Sequence, residues 1–263
     1  MKKNMTVIVI AFACCSLAFA NKGDKETFDL FATTGYGIGI GGRDVGPTIT
    51  TTNGSIVNKD DNFLNFGRGI KLEGGASYRL MDHLAGQASV CYNFGVPGIK
   101  QETITSIGAA TNSLTQEYSF STLGVKALLK PSFQVLDLID VYTNFGIGLD
   151  FAFSSVQVTQ NNTGVGEYHA TIKDSNWPAI VFIGALGADY PLGTSMILYG
   201  EIYCESMSFM TSKQEISDSN FPTGTPYATK VINYEKDATD RSTPPETPGS
   251  NLGIRIGVRF PIF

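Results

Sequence analysis

Nowhere in the 263 residues is there an uninterrupted apolar run of about 20, so the sequence offers no helix able to cross a bilayer. Charge is also sparse: Asp, Glu, Lys and Arg make up 16% of the chain, against about 25% in soluble domains. No Lys/Arg cluster stands out, and with a net charge of -5 this argues against nucleic-acid binding. There are only two histidines, His83 and His169, which leaves little material for acid–base catalysis. His169 is near Ser175 and Asp174 in sequence but falls in a polar segment, and the expectation is that the chain is not an enzyme. No His/Cys/Asp spacing suggests a metal site, and no cofactor motif is present; the glycines from Gly35 to Gly42 fit close-packed strands better than a phosphate loop. Of four cysteines, Cys14 and Cys15 lie in the leader, and Cys91 and Cys204 fall in segments expected on opposite walls, so no structural disulfide is expected.

What the chain does have begins with an export leader. Lys2 and Lys3 precede an apolar run from Met5 to Ala13, and Ala18 and Ala20 form an A-x-A cleavage pattern. A mature chain starting at Asn21 is expected, with a short periplasmic stretch over 21–28 and one domain over 29–263. An uncleaved anchor would need a longer run, and a lipoprotein signal ending at Cys14 or Cys15 fits poorly with Ala11 and Phe12.

Beyond the leader, eight segments alternate apolar with small or polar residues at a period of two. They cover 29–40, 67–80, 84–96, 118–130, 141–153, 177–190, 195–209 and 250–263. The fifth is the clearest: Val141, Thr143, Phe145, Ile147, Leu149, Phe151 and Phe153 alternate with Tyr142, Asn144, Gly146, Gly148 and Asp150. The sixth is nearly continuous in apolar residues, so its facing is ambiguous. Short turns at Met81–His83, around 135–140 and at Pro191–Thr194 alternate with long polar connections over 41–66, 97–117, 154–176 and 210–249. The last holds Pro222, Pro226, Pro244, Pro245 and Pro248 and reads as a mobile or disordered surface segment.

This rhythm predicts an all-β, closed up-and-down antiparallel barrel of eight strands in an outer membrane, with short periplasmic turns and long extracellular loops. In hydrocarbon every amide must pair, so strands can cross only as a sheet without edges. Tyr36, Tyr78, Tyr92, Phe94, Tyr118, Trp177 and Tyr190 fall near segment ends, where rings sit at headgroup depth.

The leader, the alternation, the run Tyr36-Gly37-Ile38-Gly39-Ile40 and the C-terminal Ile254-Arg255-Ile256-Gly257-Val258-Arg259-Phe260-Pro261-Ile262-Phe263 carry a resemblance across 29–263. The chain resembles the small eight-stranded outer-membrane barrels typified by the OmpA transmembrane domain, OmpX, OmpW and the opacity proteins. The resemblance implies that Phe260 and Phe263 belong to the signal read by barrel-assembly machinery. Phe263 lies one step off the outward set of Phe260 and Ile262, and Pro261, lacking a ladder donor, is expected to introduce a bulge.

Facing assigns Lys71, Glu73, Arg79, Lys126, Asp150, Glu201, Glu205, Arg255 and Arg259 to the interior. Glu201 and Glu205 are expected to pair with Arg255 and Arg259 across neighbouring strands, filling a narrow lumen. The expected role is a structural or surface-interaction (adhesin-like) protein, in contact with outer-membrane lipid and lipopolysaccharide and able to meet an extracellular ligand through its loops. The alternative is a small pore or carrier for ions or hydrophobic compounds, as the resemblance to OmpW permits.

Overall fold

The computed structural model describes residues 28–95, 99–107, 109–136, 139–164, 166–193, 195–234 and 244–262. Ala18, Ala20, the start of the expected periplasmic segment and Phe263 lie outside them. The described residues form seventeen strands and no helix. In chain order they are β1 (Phe28–Gly39), β2 (Arg43–Asp44), β3 (Thr48–Thr52), β4 (Ser55–Asp60), β5 (Phe63–Leu64), β6 (Gly69–Met81), β7 (Leu84–Gly95), β8 (Ile99–Ile107) and β9 (Ala110–Leu136). There follow β10 (Ile139–Asn162), β11 (Gly166–Asn176), β12 (Ala179–Leu192), β13 (Met196–Ser206), β14 (Ser208–Ser217), β15 (Lys230–Asn233), β16 (Glu246–Pro248) and β17 (Asn251–Ile262).

Antiparallel pairings run from β1 through β6, β7, β9, β10, β12 and β13 to β17, which pairs with β1 again. Period-two alternation determines which side chains meet which environment along this circuit. On β1, Leu30, Tyr36 and Ile38 are exposed while Phe31 and Thr33 are buried. On β10, Phe145, Ile147, Leu149, Phe151 and Phe153 face out while Tyr142, Asn144 and Asp150 face in. The ambiguous sixth segment resolves the same way: Ile180, Phe182 and Leu186 point out, and Val181, Ile183 and Asp189 point in.

Strand length sets what can lie in a bilayer. Twelve residues tilted by about 45° climb roughly 29 Å, close to the hydrocarbon thickness of about 30 Å. β9 and β10 have 27 and 24 residues, at least twice that crossing length of about twelve. Their outer halves carry a sheet above the circuit, flanked by β8, β3 and β4 on one side and by β11, β14 and β15 on the other. The polar connections expected over 97–117 and 154–176 are therefore largely strand, and so is much of 208–217. Above a membrane no face has to be apolar along its whole length, so these strands lack the hydrophobic alternation that marks the others.

Inward-facing rings seat against glycines on the next strand. Tyr142 lies opposite Gly187, Tyr203 opposite Gly253 and Tyr199 opposite Gly257. A Cβ at Gly253 would stand 2.6 Å from the Tyr203 ring, and one at Gly257 2.5 Å from the Tyr199 ring. These glycines give the tyrosines room to lie flat across the ladder. The expected bulge at Pro261 does not occur: β1 and β17 pair without a register shift from Phe28↔Ile262 to Gly39↔Asn251, with Pro261 opposite Asp29. A proline at the end of a strand gives up one ladder bond without disturbing those beyond it.

Candidate functional site

Ten charged side chains are buried within the circuit: Lys71, Lys126, Lys130, Arg255 and Arg259 against Glu73, Asp150, Asp189, Glu201 and Glu205. Five cations thus face five anions. At the centre, Lys126 donates to Glu73 at 3.1 Å and to Glu205 at 2.6 Å. Lys71 also donates to Glu205, and Arg255 donates to Glu73 at 2.7 Å and to Glu201. Neutral groups fill the remaining acceptor positions. Ser89 donates to Glu73 at 2.6 Å, Asn251 to Glu205 at 3.0 Å, and Tyr142 and Asn144 to Glu201 at 2.8 and 2.7 Å. Burial without such partners would cost several kcal/mol per ion, so the bonds made to Glu73, Glu201 and Glu205 are what make this buried charged layer tolerable.

A second group lies toward the turn end, where Lys130 at 2.5 Å and Arg259 at 2.6 Å both donate to Asp189. Lys130 lies 3.9 Å from the Tyr142 ring centre and Arg259 5.0 Å from that of Tyr199. These rings offset the excess of cations in this group. Lys130 and Asp189 were not among the residues expected inside. Lys130 shares the parity of Lys126, a signal that could have found it, whereas Asp189 was hidden by the apolar character of its segment.

Of the interior set read from the sequence, eight residues are buried and Arg79 is not. Arg79 is still in register opposite Ala85, but it stands at the turn end of β6, past the buried Ser77, where the side chains of Arg79, Leu80 and Met81 are all exposed. Pairing also differs in detail. Glu201 and Arg255 are register partners and are bonded, but Glu205 sits opposite Asn251 and Arg259 opposite Ile197. Arg259 is therefore too far along the strand for Glu205 and takes Asp189 instead. Asp150 is 2% exposed, and its Oδ1 has no hydrogen-bond partner among the described residues.

Following the same strand faces outward, Glu205 is succeeded by Met207 and Phe209, and Lys126 is preceded by Thr122 and Phe120. These meet Phe66, Leu64, Val181 and Ile183 in an apolar layer. The Phe66 ring lies 5.1 Å from Phe120 and 5.6 Å from Phe209. Phe66 comes from the polar connection after β1 and was not anticipated. Its backbone holds it there, since Asn93 donates to its carbonyl at 2.8 Å and its N–H donates to Pro248.

Above this layer lies a cavity of about 170 Å³. Register brings its wall together: Ser154, Asp174 and Gln214 form one row across β10, β11 and β14, and Tyr118, Val156 and Ile172 the next across β9, β10 and β11. Gln214 donates to Asp174 at 3.0 Å and Ser154 at 3.5 Å. Burial holds the Asp174 carboxyl above its ordinary value, while Arg43 opposes that shift. Tyr118, expected as a headgroup anchor, instead lines this cavity and donates to Gln116 at 2.7 Å, because β9 continues beyond it. Tyr36, Phe94, Trp177 and Tyr190 are exposed.

His83 is in an exposed turn and His169 is exposed on β11. Among the described residues no His/Cys/Asp/Glu group is arranged to hold a metal. Cys91 is buried and Cys204 exposed, both as free thiols.

No family model matches the chain, and no curated protein does. Among solved structures it is similar to a major outer membrane protein from Thermus thermophilus, at 13% identity and a TM-score of 0.46, with 91% of this chain and 100% of that one covered. It is also similar to outer membrane protein AlkL (14%, TM-score 0.32, 92% and 94%) and to the translocator domain of autotransporter NalP from Neisseria meningitidis (11%, TM-score 0.22, 98% and 95%). In the chain itself, apolar side chains face outward around a circuit of strands and charges face inward, the arrangement of an outer-membrane β-barrel.

Proposed function

We propose that this chain is an integral outer-membrane barrel of eight strands, β1, β6, β7, β9, β10, β12, β13 and β17, with a filled interior and a structural or surface-interaction role. The exposed belt of Ile38, Ile70, Ile147, Phe182, Ile202 and Ile254 suits a lipid surround, including lipopolysaccharide in the outer leaflet. The last strand is the segment that assembly machinery would read. The raised sheet on β9 and β10 supplies the surface through which an extracellular partner would be met.

The observation that carries this reading is the stacking of two unlike seals. A layer in which Lys126 and Arg255 pair with Glu73 and Glu205 lies next to the apolar layer of Phe66, Phe120 and Phe209. An ion would have to displace the pairs and then dewet past the rings. The reading is tested by heat-modifiable gel migration of the detergent-refolded protein together with planar-bilayer conductance on the same sample. A migration shift without steady conductance is expected. Discrete conductance steps would favour the pore or carrier, and no shift would remove the barrel.

A further inference from the structure

The outer cavity contains a charge arrangement that the interior layers do not use. Arg43 is carried there by the short ribbon of β2 and β5, in which it pairs with Leu64. The Arg43 side chain lines the cavity, and among the described residues none of the ion pairs includes it. Asp174 also lines the cavity, accepts from Gln214 and Ser154, both neutral, and among the described residues forms no ion pair. The two charges are close enough for Arg43 to favour the ionised carboxylate, and both act on the Tyr118 hydroxyl. Both side chains line the cavity. Its floor is Leu64 and Phe66, and its apolar side is Val156, Ile172 and the Tyr118 ring.

An unpaired guanidinium is a ready carboxylate fork, and a half-buried carboxylate with neutral donors gains most from an ammonium. A cavity of about 150 Å³ holds a benzene-sized body, so 170 Å³ has room for one branched chain between the two charges. We propose that this cavity binds a small zwitterion with an apolar body, of the kind an α-amino acid presents, with its carboxylate on Arg43, its ammonium on Asp174 and its side chain over Phe66 and Ile172. A purely anionic ligand would face Asp174 and a purely cationic one Arg43. The paired charges thus select for a molecule bearing both.

L-leucine is the probe, titrated calorimetrically into the full-length protein refolded in uncharged micelles, with 4-methylpentanoate and isopentylamine as analogues lacking one charge each. The expected result is saturable leucine binding with each analogue at least tenfold weaker. Arg43→Gln and Asp174→Asn should each weaken leucine at least tenfold. Ile172→Phe, which fills the cavity and leaves both charges, should abolish binding, with heat-modifiable migration confirming that every variant is folded. The proposal is overturned if leucine fails to bind wild type at 10 mM, if either analogue binds as well as leucine, or if the folded variants bind it unchanged.

Discussion

Replacing Glu205 by Gln would test whether the charged layer is dry. Glu205 is 2% exposed and receives Lys71, Lys126 at 2.6 Å and Asn251 at 3.0 Å. The amide keeps the shape and an acceptor but removes the charge. Lys126 retains Glu73 at 3.1 Å, whereas Lys71 keeps only the face of Tyr203, 5.3 Å from its ring centre. Five cations then face four anions, with Lys71 uncompensated. Removing one partner from a buried pair costs about 3–5 kcal/mol. That loss should appear as a lower guanidinium midpoint in the fraction of protein showing folded, heat-modifiable migration. The double variant Lys71→Met/Glu205→Gln should recover much of it, because the orphaned cation is gone. A loss under about 1 kcal/mol for the single change, the range of exposed ion pairs, would mean that water reaches the layer and would undo the argument for a sealed interior.

Three further outcomes are expected. Lysine at Ile254 should cost about 2–4 kcal/mol in lipid or micelle, as on the lipid face of a barrel, whereas lysine at Ile56 on β4 should be near neutral; both are similarly exposed, 66% and 65%, so equal effects in denaturant titrations would contradict the membrane boundary. Gly253→Ala should cost about 1–3 kcal/mol by pushing Tyr203 off its seat, read from the same titrations, with Gly74→Ala, whose Cβ would meet only the Phe31 carbonyl at 3.7 Å, as the control for denaturant behaviour. Asp174 has a raised folded value, so the folded state holds its proton more tightly than the unfolded chain. Stability relative to Asp174→Asn should be greatest below about pH 4 and fall as pH rises through the folded value. Arg43→Gln should raise that value further, because it removes the charge that lowers it. A carboxyl NMR titration in both proteins checks the sign.

The faces of β1, β10 and β17 were legible because lipid and interior impose opposite demands on alternate residues. Lys71, Glu73, Lys126 and Arg255 could therefore be assigned inward from parity alone. Asp189 was lost because Val181 and Ile183 also point inward, so apolarity no longer distinguished the two faces. Arg79 failed because parity gives the side a residue faces and not its depth, and Arg79 stands at the exposed turn end of β6. The outer cavity was illegible for a different reason. Its wall draws residues from four strands, and Arg43 and Asp174 are 131 positions apart with no pattern linking them.

The charged layer also bears on the order of assembly. Arg255 and Arg259 both reside on β17, the last strand described, while their partners Glu73, Glu201 and Asp189 are on β6, β13 and β12. Until that strand docks, the interior holds three cations against five anions, and three carboxylates lack guanidinium partners. A chain cut short before β17 would therefore carry a net charge of -2 in a compartment that must become anhydrous, which penalises premature closure electrostatically. The final strand completes the ladder and the charge balance in one event, so an unfinished barrel differs from a finished one in its tolerance of lipid as well as in its open edge.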